Sequence, residues 1–201
     1  MTSKKPHVSV KPPLYKIVML GDSGVGKTSL VHRLVSPSAP ISTSLPATMG
    51  IEFDTKLIET SGGPVKAQLW DTAGQERFSK VLLPTYFRKA KGCVLVYDLT
   101  NLSTLKSLEG KWLKECEGIK GIIVGNKCDL GEYDEQPGKD LASLHKMSHF
   151  TVSAYEGTSV ATSFEYLVDI VHTNTNVVED DKDVIKLGEK KEVKKEMGGC
   201  C

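Results

Sequence analysis

The chain has 201 residues, a net charge of +1 and 39% hydrophobic residues. That length fits one core with tails, and the balanced charge excludes bulk electrostatic binding to nucleic acid. Five cysteines without metal-ligand spacing, no secretory segment at the start and no apolar stretch of the ~18–20 residues a membrane span needs point to a cytosolic compartment, with any membrane contact made through lipid.

Residues 1–13 contain Pro6, Pro12 and Pro13 and read as a flexible N-terminal arm. The apolar run Tyr15 to Leu20 suits a buried strand, and Ser29 to Val35 carries apolar residues at helical spacing. Between them, Gly21, Gly26, Lys27 and Thr28 satisfy G-x-x-x-x-G-K-[ST], in the strand–turn–helix context that the pattern requires. The glycines let main-chain N–H groups along Ser23, Gly24, Val25, Gly26, Lys27, Thr28 and Ser29 turn inward as an anion nest. The helix N-terminus adds positive potential. Lys27 would neutralise the outer phosphates of a nucleotide, and the Thr28 hydroxyl would ligate Mg²⁺.

Further along, residues 51–59 and 65–71 are extended runs joined by Thr60-Ser61-Gly62-Gly63-Pro64, which reads as a hairpin. Three more apolar strands are predicted, from Cys93 to Leu99, Gly121 to Gly125 and Phe150 to Ala154. Helical patterns separate and follow them: Leu105, Leu108, Trp112 and Cys116; Leu141 and Leu144; Phe164, Leu167, Val168 and Val171. Repeated βα units with continuous apolar strands predict an α/β fold of the P-loop NTPase type. Its central sheet is mostly parallel, with one antiparallel edge strand and helices on both faces. Ligands of such sheets bind beyond the strand C-termini.

Two more motifs fall at strand ends. In Trp70-Asp71-Thr72-Ala73-Gly74-Gln75-Glu76, Asp71 is placed to hold Mg²⁺ through water, Gly74 to offer its N–H to a terminal phosphate, and Gln75 to orient a water. Alone, an Asp at a strand end reads as a turn or cap residue; after a P-loop it reads as a metal-holding carboxylate. In Gly125-Asn126-Lys127-Cys128-Asp129, the Asp129 carboxylate can accept from guanine N1–H and N2–H₂ together. Adenine lacks that donor pair and leaves the acceptor unpaired, at ~1–3 kcal/mol or more. The Lys127 stem can cover one face of the ring, and Asn126 can tie this loop to its neighbours. Ser153-Ala154 adds a backbone N–H. A lone NKxD is a common surface turn; third in this order it specifies guanine.

These motifs resemble the Ras superfamily of small GTPases, and most closely its Rab branch, over roughly residues 14–172. The resemblance rests on GDSGVGKTS at 21–29, Thr48-Met49-Gly50-Ile51-Glu52-Phe53, KAQLWDTAGQERF at 66–78, GNKCDL at 125–130, and SA at 153–154. It implies that Thr48, in switch I, ligates Mg²⁺ and senses the γ-phosphate, and that switch II runs from about Ala73 to Phe87. It also implies that Phe53, Trp70 and Tyr86 form an aromatic triad facing effectors; read alone they are three separate core or surface aromatics. Three features depart from the family pattern. Switch I, Ser36 to Ala47, is long, rich in Pro and Ser and free of aromatics, which implies lower nucleotide affinity or faster exchange. Switch II, with Leu82-Leu83-Pro84, carries an extra residue. Tyr155 stands in the third base-binding motif where a Lys is usual.

From Thr175 the chain alternates acid and base and is predicted to be a disordered tail, not a polybasic anchor. The domain itself is expected over 14–174. Cys200-Cys201 offers two thiols, and the resemblance implies that both are geranylgeranylated; one chain anchors weakly, two stably. The implied protein is a monomeric, GTP/GDP-controlled switch in vesicle traffic. It would sit on the cytosolic face of an intracellular membrane, with a cytosolic pool. Its partners would be effectors, an exchange factor, an activating protein, and the Rab escort and GDP-dissociation-inhibitor proteins. Two rival readings are an ATP-driven NTPase and an interaction scaffold that holds nucleotide loosely.

Overall fold

The computed structural model describes residues 11–41, 51–72 and 86–188. Six strands and five helices alternate among them: β1 (Leu14–Leu20), α1 (Lys27–Val35), β2 (Ile51–Thr60), β3 (Gly63–Thr72) and β4 (Ala90–Asp98). Then come α2 (Ser103–Ser107), a π-helical turn (Leu108–Trp112), α3 (Leu113–Glu115), β5 (Lys120–Asn126), α4 (Gln136–Leu144), β6 (Ser148–Thr151) and α5 (Val160–Gly188). The strands form one sheet in the order β2-β3-β1-β4-β5-β6. Only β2 pairs antiparallel, against β3; the other four pairings are parallel. That is the predicted architecture.

The sheet separates two apolar layers. On one face Ile17, Met19, Leu69, Val94 and Val124 pack with Leu30 of α1 and Phe164, Leu167 and Val171 of α5. On the other, Val18, Leu20, Leu95 and Ile123 pack with Leu105, Leu108, Trp112 and Leu141. Alternate residues of β1 thus serve opposite cores, as the period of two requires, and sandwiching between helices explains the continuous apolar runs. Phe164 is fully buried between sheet and helix. Phe164→Ala is expected to cost about 3–5 kcal/mol through lost transfer energy and the cavity left behind, read as a lower denaturant midpoint.

The hairpin is tighter than predicted: only Ser61 and Gly62 separate the strands, with Gly63 (φ 112) turning the chain and Pro64 already paired with Glu59. Asp169 of α5 caps this turn, accepting from the Ser61 N–H and hydroxyl at 2.7 Å each. The last strand is shorter than expected, ending at Thr151, so Ser153 and Ala154 lie in the loop beyond it. Leu144 ends the α4 pattern but is 72% exposed; only Leu141 of that pair reaches the core.

The largest correction concerns the tail. α5 does not stop at Asn174; it continues as helix to Gly188, where disorder from Thr175 was predicted. Across that boundary Thr173, Asn174 and Thr175 each hydrogen-bond the carbonyl four residues back, Asp169, Ile170 and Val171, so the polar run follows the helix instead of opposing it. Val177, Val178, Val184 and Ile185 then recur one heptad apart, a spacing that alternating charge had obscured.

Candidate functional site: a nucleotide-binding rim

Because β1, β3, β5 and β6 run parallel, their C-terminal ends open onto one rim of the sheet, where the Gly21–Thr28 segment, Asp71 and the loops after β5 and β6 gather. The loop from Gly21 to Gly26 has three glycines at positive φ: 137° at Gly21, 77° at Gly24 and 97° at Gly26. A Cβ on Gly21 would lie 2.1 Å from the Val96 carbonyl oxygen, and one on Gly26 would lie 2.3 Å from Asn126 Nδ2. Gly24 faces open space. Glycine is therefore imposed by backbone geometry at all three and by crowding at two. The Val25 side chain is buried in the core, and Ser23 is exposed at the loop's tip.

Lys27 is 4% exposed, and its ammonium donates to the main-chain oxygens of Gly21 (2.8 Å) and Asp22 (2.7 Å). It thus arches back over the loop that precedes it. One residue on, the Thr28 hydroxyl donates to Asp71 Oδ2 at 2.5 Å, joining the start of α1 to the end of β3. Asp71 is 4% exposed. A hydroxyl and a carboxylate touching at the mouth of an anion nest are hard oxygen donors of the kind Mg²⁺ takes, one or two per protein with phosphates supplying the rest. Among the described residues no group of three or more His, Cys, Asp or Glu side chains could hold a metal ion.

The loops after β5 and β6 are cross-tied. Asn126 Nδ2 donates to the Val25 carbonyl (2.9 Å), while its Oδ1 accepts from the Ala154 N–H (3.0 Å), so one side chain joins the phosphate loop, β5 and the loop after β6. The Ser153 hydroxyl donates to Asp129 Oδ1 at 2.5 Å and accepts from the Glu156 N–H at 3.0 Å, which fixes the carboxylate's outlook. Lys127 adopts a left-handed backbone (φ 71) and its ammonium pairs with Asp98 at 2.6 Å. Burial pushes the Asp98 carboxyl up, but hydrogen bonds from Lys127 and Thr100 outweigh it and hold it below the usual range. The pair therefore favours the folded state above the ordinary carboxylate pKa, and that gain is lost as pH falls through the lowered value. Tyr155 is 57% exposed.

Two contributors here were not visible in the sequence. Arg33, in the last turn of α1, donates from Nε to the Ala154 carbonyl (2.8 Å) and from its guanidinium to the Tyr155 and Pro37 carbonyls, clasping the third base-side loop. Asp98 fixes Lys127. An Arg in a last helical turn reads as a complement to the helix dipole, so no local pattern distinguished it.

On the sheet face at β2 and β3, Phe53 is 56% exposed and stacks on Trp70 with ring centroids 5.5 Å apart. Tyr86 meets Trp70 edge-on at 6.2 Å but does not share that exposure. It is 3% exposed, and its hydroxyl donates to the Trp70 carbonyl at 2.6 Å. Tyr86 thus buttresses Trp70 through its hydroxyl and its ring. Thr48, Gly74, Gln75, Cys200 and Cys201 lie outside the described residues.

A profile of the Ras family matches residues 16–173. The chain is 38% identical to Ras-related protein RABA5d of Arabidopsis thaliana over 181 residues, covering 86% of this chain and 81% of that protein. It is 35% identical to Ras-related protein Rab-11A of Dictyostelium discoideum over 206 residues, covering 94% of each. The chain is a Rab-family small GTPase. As such the GTPase binds GTP and GDP, hydrolyses GTP, acts in vesicle trafficking, and works through regulators and effectors. Membership does not favour the loose-scaffold reading. Among the described residues no helix of this Rab-family protein is long and apolar enough to cross a membrane.

Proposed function

We propose that this rim holds Mg²⁺ and a guanine nucleotide, and that each motif does there what its chemistry suits it to do. The observation that carries the reading is the meeting of Thr28 and Asp71 at 2.5 Å beside the arched Lys27. Main-chain N–H groups from Ser23 through Ser29 surround the phosphates, and Lys27 neutralises their charge. Thr28, Thr48 and, through water, Asp71 hold the metal, which when bound neutralises charge on the phosphates during hydrolysis. Gly74 gives its N–H to the terminal phosphate, while Gln75 orients the water that attacks it, releasing phosphate and leaving GDP. Asp129 reads the guanine edge, with Asn126, Lys127, Ser153, Ala154 and Tyr155 framing the base.

With positioning and Mg²⁺ alone, turnover stays on the order of 10⁻⁴ to 10⁻³ per second until an activating protein supplies an arginine finger. Exposed Phe53, stacked on half-buried Trp70, forms the patch that effectors read. Two geranylgeranyl groups on Cys200 and Cys201, delivered with a Rab escort protein and extracted by a GDP-dissociation inhibitor, hold the monomer at the cytosolic face of an intracellular membrane.

Gln75→Leu tests the water assignment: it keeps bulk and removes both hydrogen-bonding functions. Single-turnover hydrolysis with a matched activating protein is expected to fall at least about a hundredfold, with GTP affinity unchanged within about twofold. Unimpaired hydrolysis would move the water-orienting role to another group.

A further inference from the structure

The helical segment after β4 is not regular. Between α2 and α3 lies the π-helical turn Leu108–Trp112, closed by i→i+5 hydrogen bonds and so holding one residue more than an α turn. One extra residue rotates everything after it by about 100°. As a result Leu105 before the turn, Leu108 and Trp112 at its two ends, and Leu113 and Cys116 after it all face the same core. Apolar spacing accounts for burying the Trp112 ring, but not for what its N–H does. Trp112 is 1% exposed, and its indole Nε1–H donates to Asp22 Oδ1 at 3.1 Å.

Asp22 belongs to the phosphate loop, between Gly21 and Ser23, where a carboxylate is an awkward neighbour for an anion. Its main-chain oxygen is one of the two that receive the Lys27 ammonium, at 2.7 Å. Side chain and carbonyl of one residue thus point to different partners, Trp112 and Lys27. We propose that Trp112 is a positioning residue for nucleotide retention: by holding the Asp22 side chain toward the helix, it keeps the carboxylate off the phosphates and fixes the carbonyl that orients Lys27. The proposal rests on the reading of Gly21 to Ser29 as the phosphate site. Distortion of the π turn then becomes a way to loosen nucleotide from outside the pocket.

The test compares two neutral substitutions at Asp22 in the full chain, following release of a fluorescent GDP analogue. Asp22→Asn and Asp22→Ala both remove the charge, but only Asn keeps an acceptor for the indole. With Trp112 in place, Asp22→Ala is expected to release GDP about fivefold faster than Asp22→Asn, the worth of one hydrogen bond. In a Trp112→Phe background, which keeps an aromatic ring without the N–H, both should release at the same rapid rate. Equal rates with Trp112 present overturn the proposal, and so does an undiminished gap in the Phe background. A general loss of packing would not distinguish Asn from Ala at Asp22. The comparison in the natural background decides the matter even if Trp112→Phe fails to fold. Failure of the unmutated chain to bind GDP would instead overturn the phosphate-site reading, and this proposal with it.

Discussion

Asp129→Asn is expected to lower GTP affinity at least about a hundredfold, because two hydrogen bonds to a charged acceptor, roughly 1.5–3 kcal/mol each, are lost or inverted. The same substitution should raise affinity for xanthosine triphosphate above that for GTP, since xanthine offers an acceptor where guanine has a donor. The structure explains why the swap should be local. Ser153 donates its hydroxyl to Asp129 Oδ1, and an asparagine retains an oxygen for that bond while turning an amide donor toward the base. Competition of the two triphosphates against a fluorescent nucleotide measures both affinities. An unchanged preference for GTP would mean that guanine is read elsewhere.

Replacing both Cys200 and Cys201 with Ser is expected to move the protein from the membrane fraction to the cytosol while leaving GTP binding intact. Each buried CH₂ contributes ~0.8 kcal/mol, so two long chains outweigh anything the charge-balanced tail supplies. A single replacement should leave a weakly held, exchangeable protein, because one chain anchors only marginally. Fractionation of cells expressing the three versions reads the result. If the doubly substituted protein still pellets at the wild-type fraction, the anchor is an effector on the membrane and not this pair.

Legibility in the sequence followed the range over which each feature acts. The turn from Gly21 to Gly26 was readable because its glycines answer local backbone demands: positive φ at Gly21, Gly24 and Gly26 is a property of a few adjacent residues. The layered architecture followed too, since continuous apolar runs such as Cys93 to Leu99 leave little choice but a sheet covered on both faces. Contacts joining distant segments were not readable. Arg33 reaches Ala154 across 121 positions and Trp112 reaches Asp22 across 90, and neither side chain carries a local pattern that names its partner. The burial of Tyr86 was hidden for the same reason: its hydroxyl answers to Trp70 and Met19, far off in the chain. At the tail the error ran the other way. Mixed charge suggested disorder, whereas a helix already nucleated by Phe164, Leu167 and Val171 against the sheet propagates at little further cost.

That propagation gives the protein a stalk. From Thr175 to Gly188 the helix adds about 21 Å at 1.5 Å per residue, and it leaves from the same end of the sheet as the hairpin turn that Asp169 caps. The rim proposed to hold nucleotide is at the opposite end. Residues 189–201 follow the stalk's tip and would span at most about 47 Å if fully extended. On a membrane the switch would stand off the surface at a height set partly by helical rise, with the rim presented outward to whatever approaches from the cytosol. Shortening the stalk and shortening the residues beyond it would then not be equivalent: the first lowers the domain and turns it about the helix axis, the second only tightens its tether.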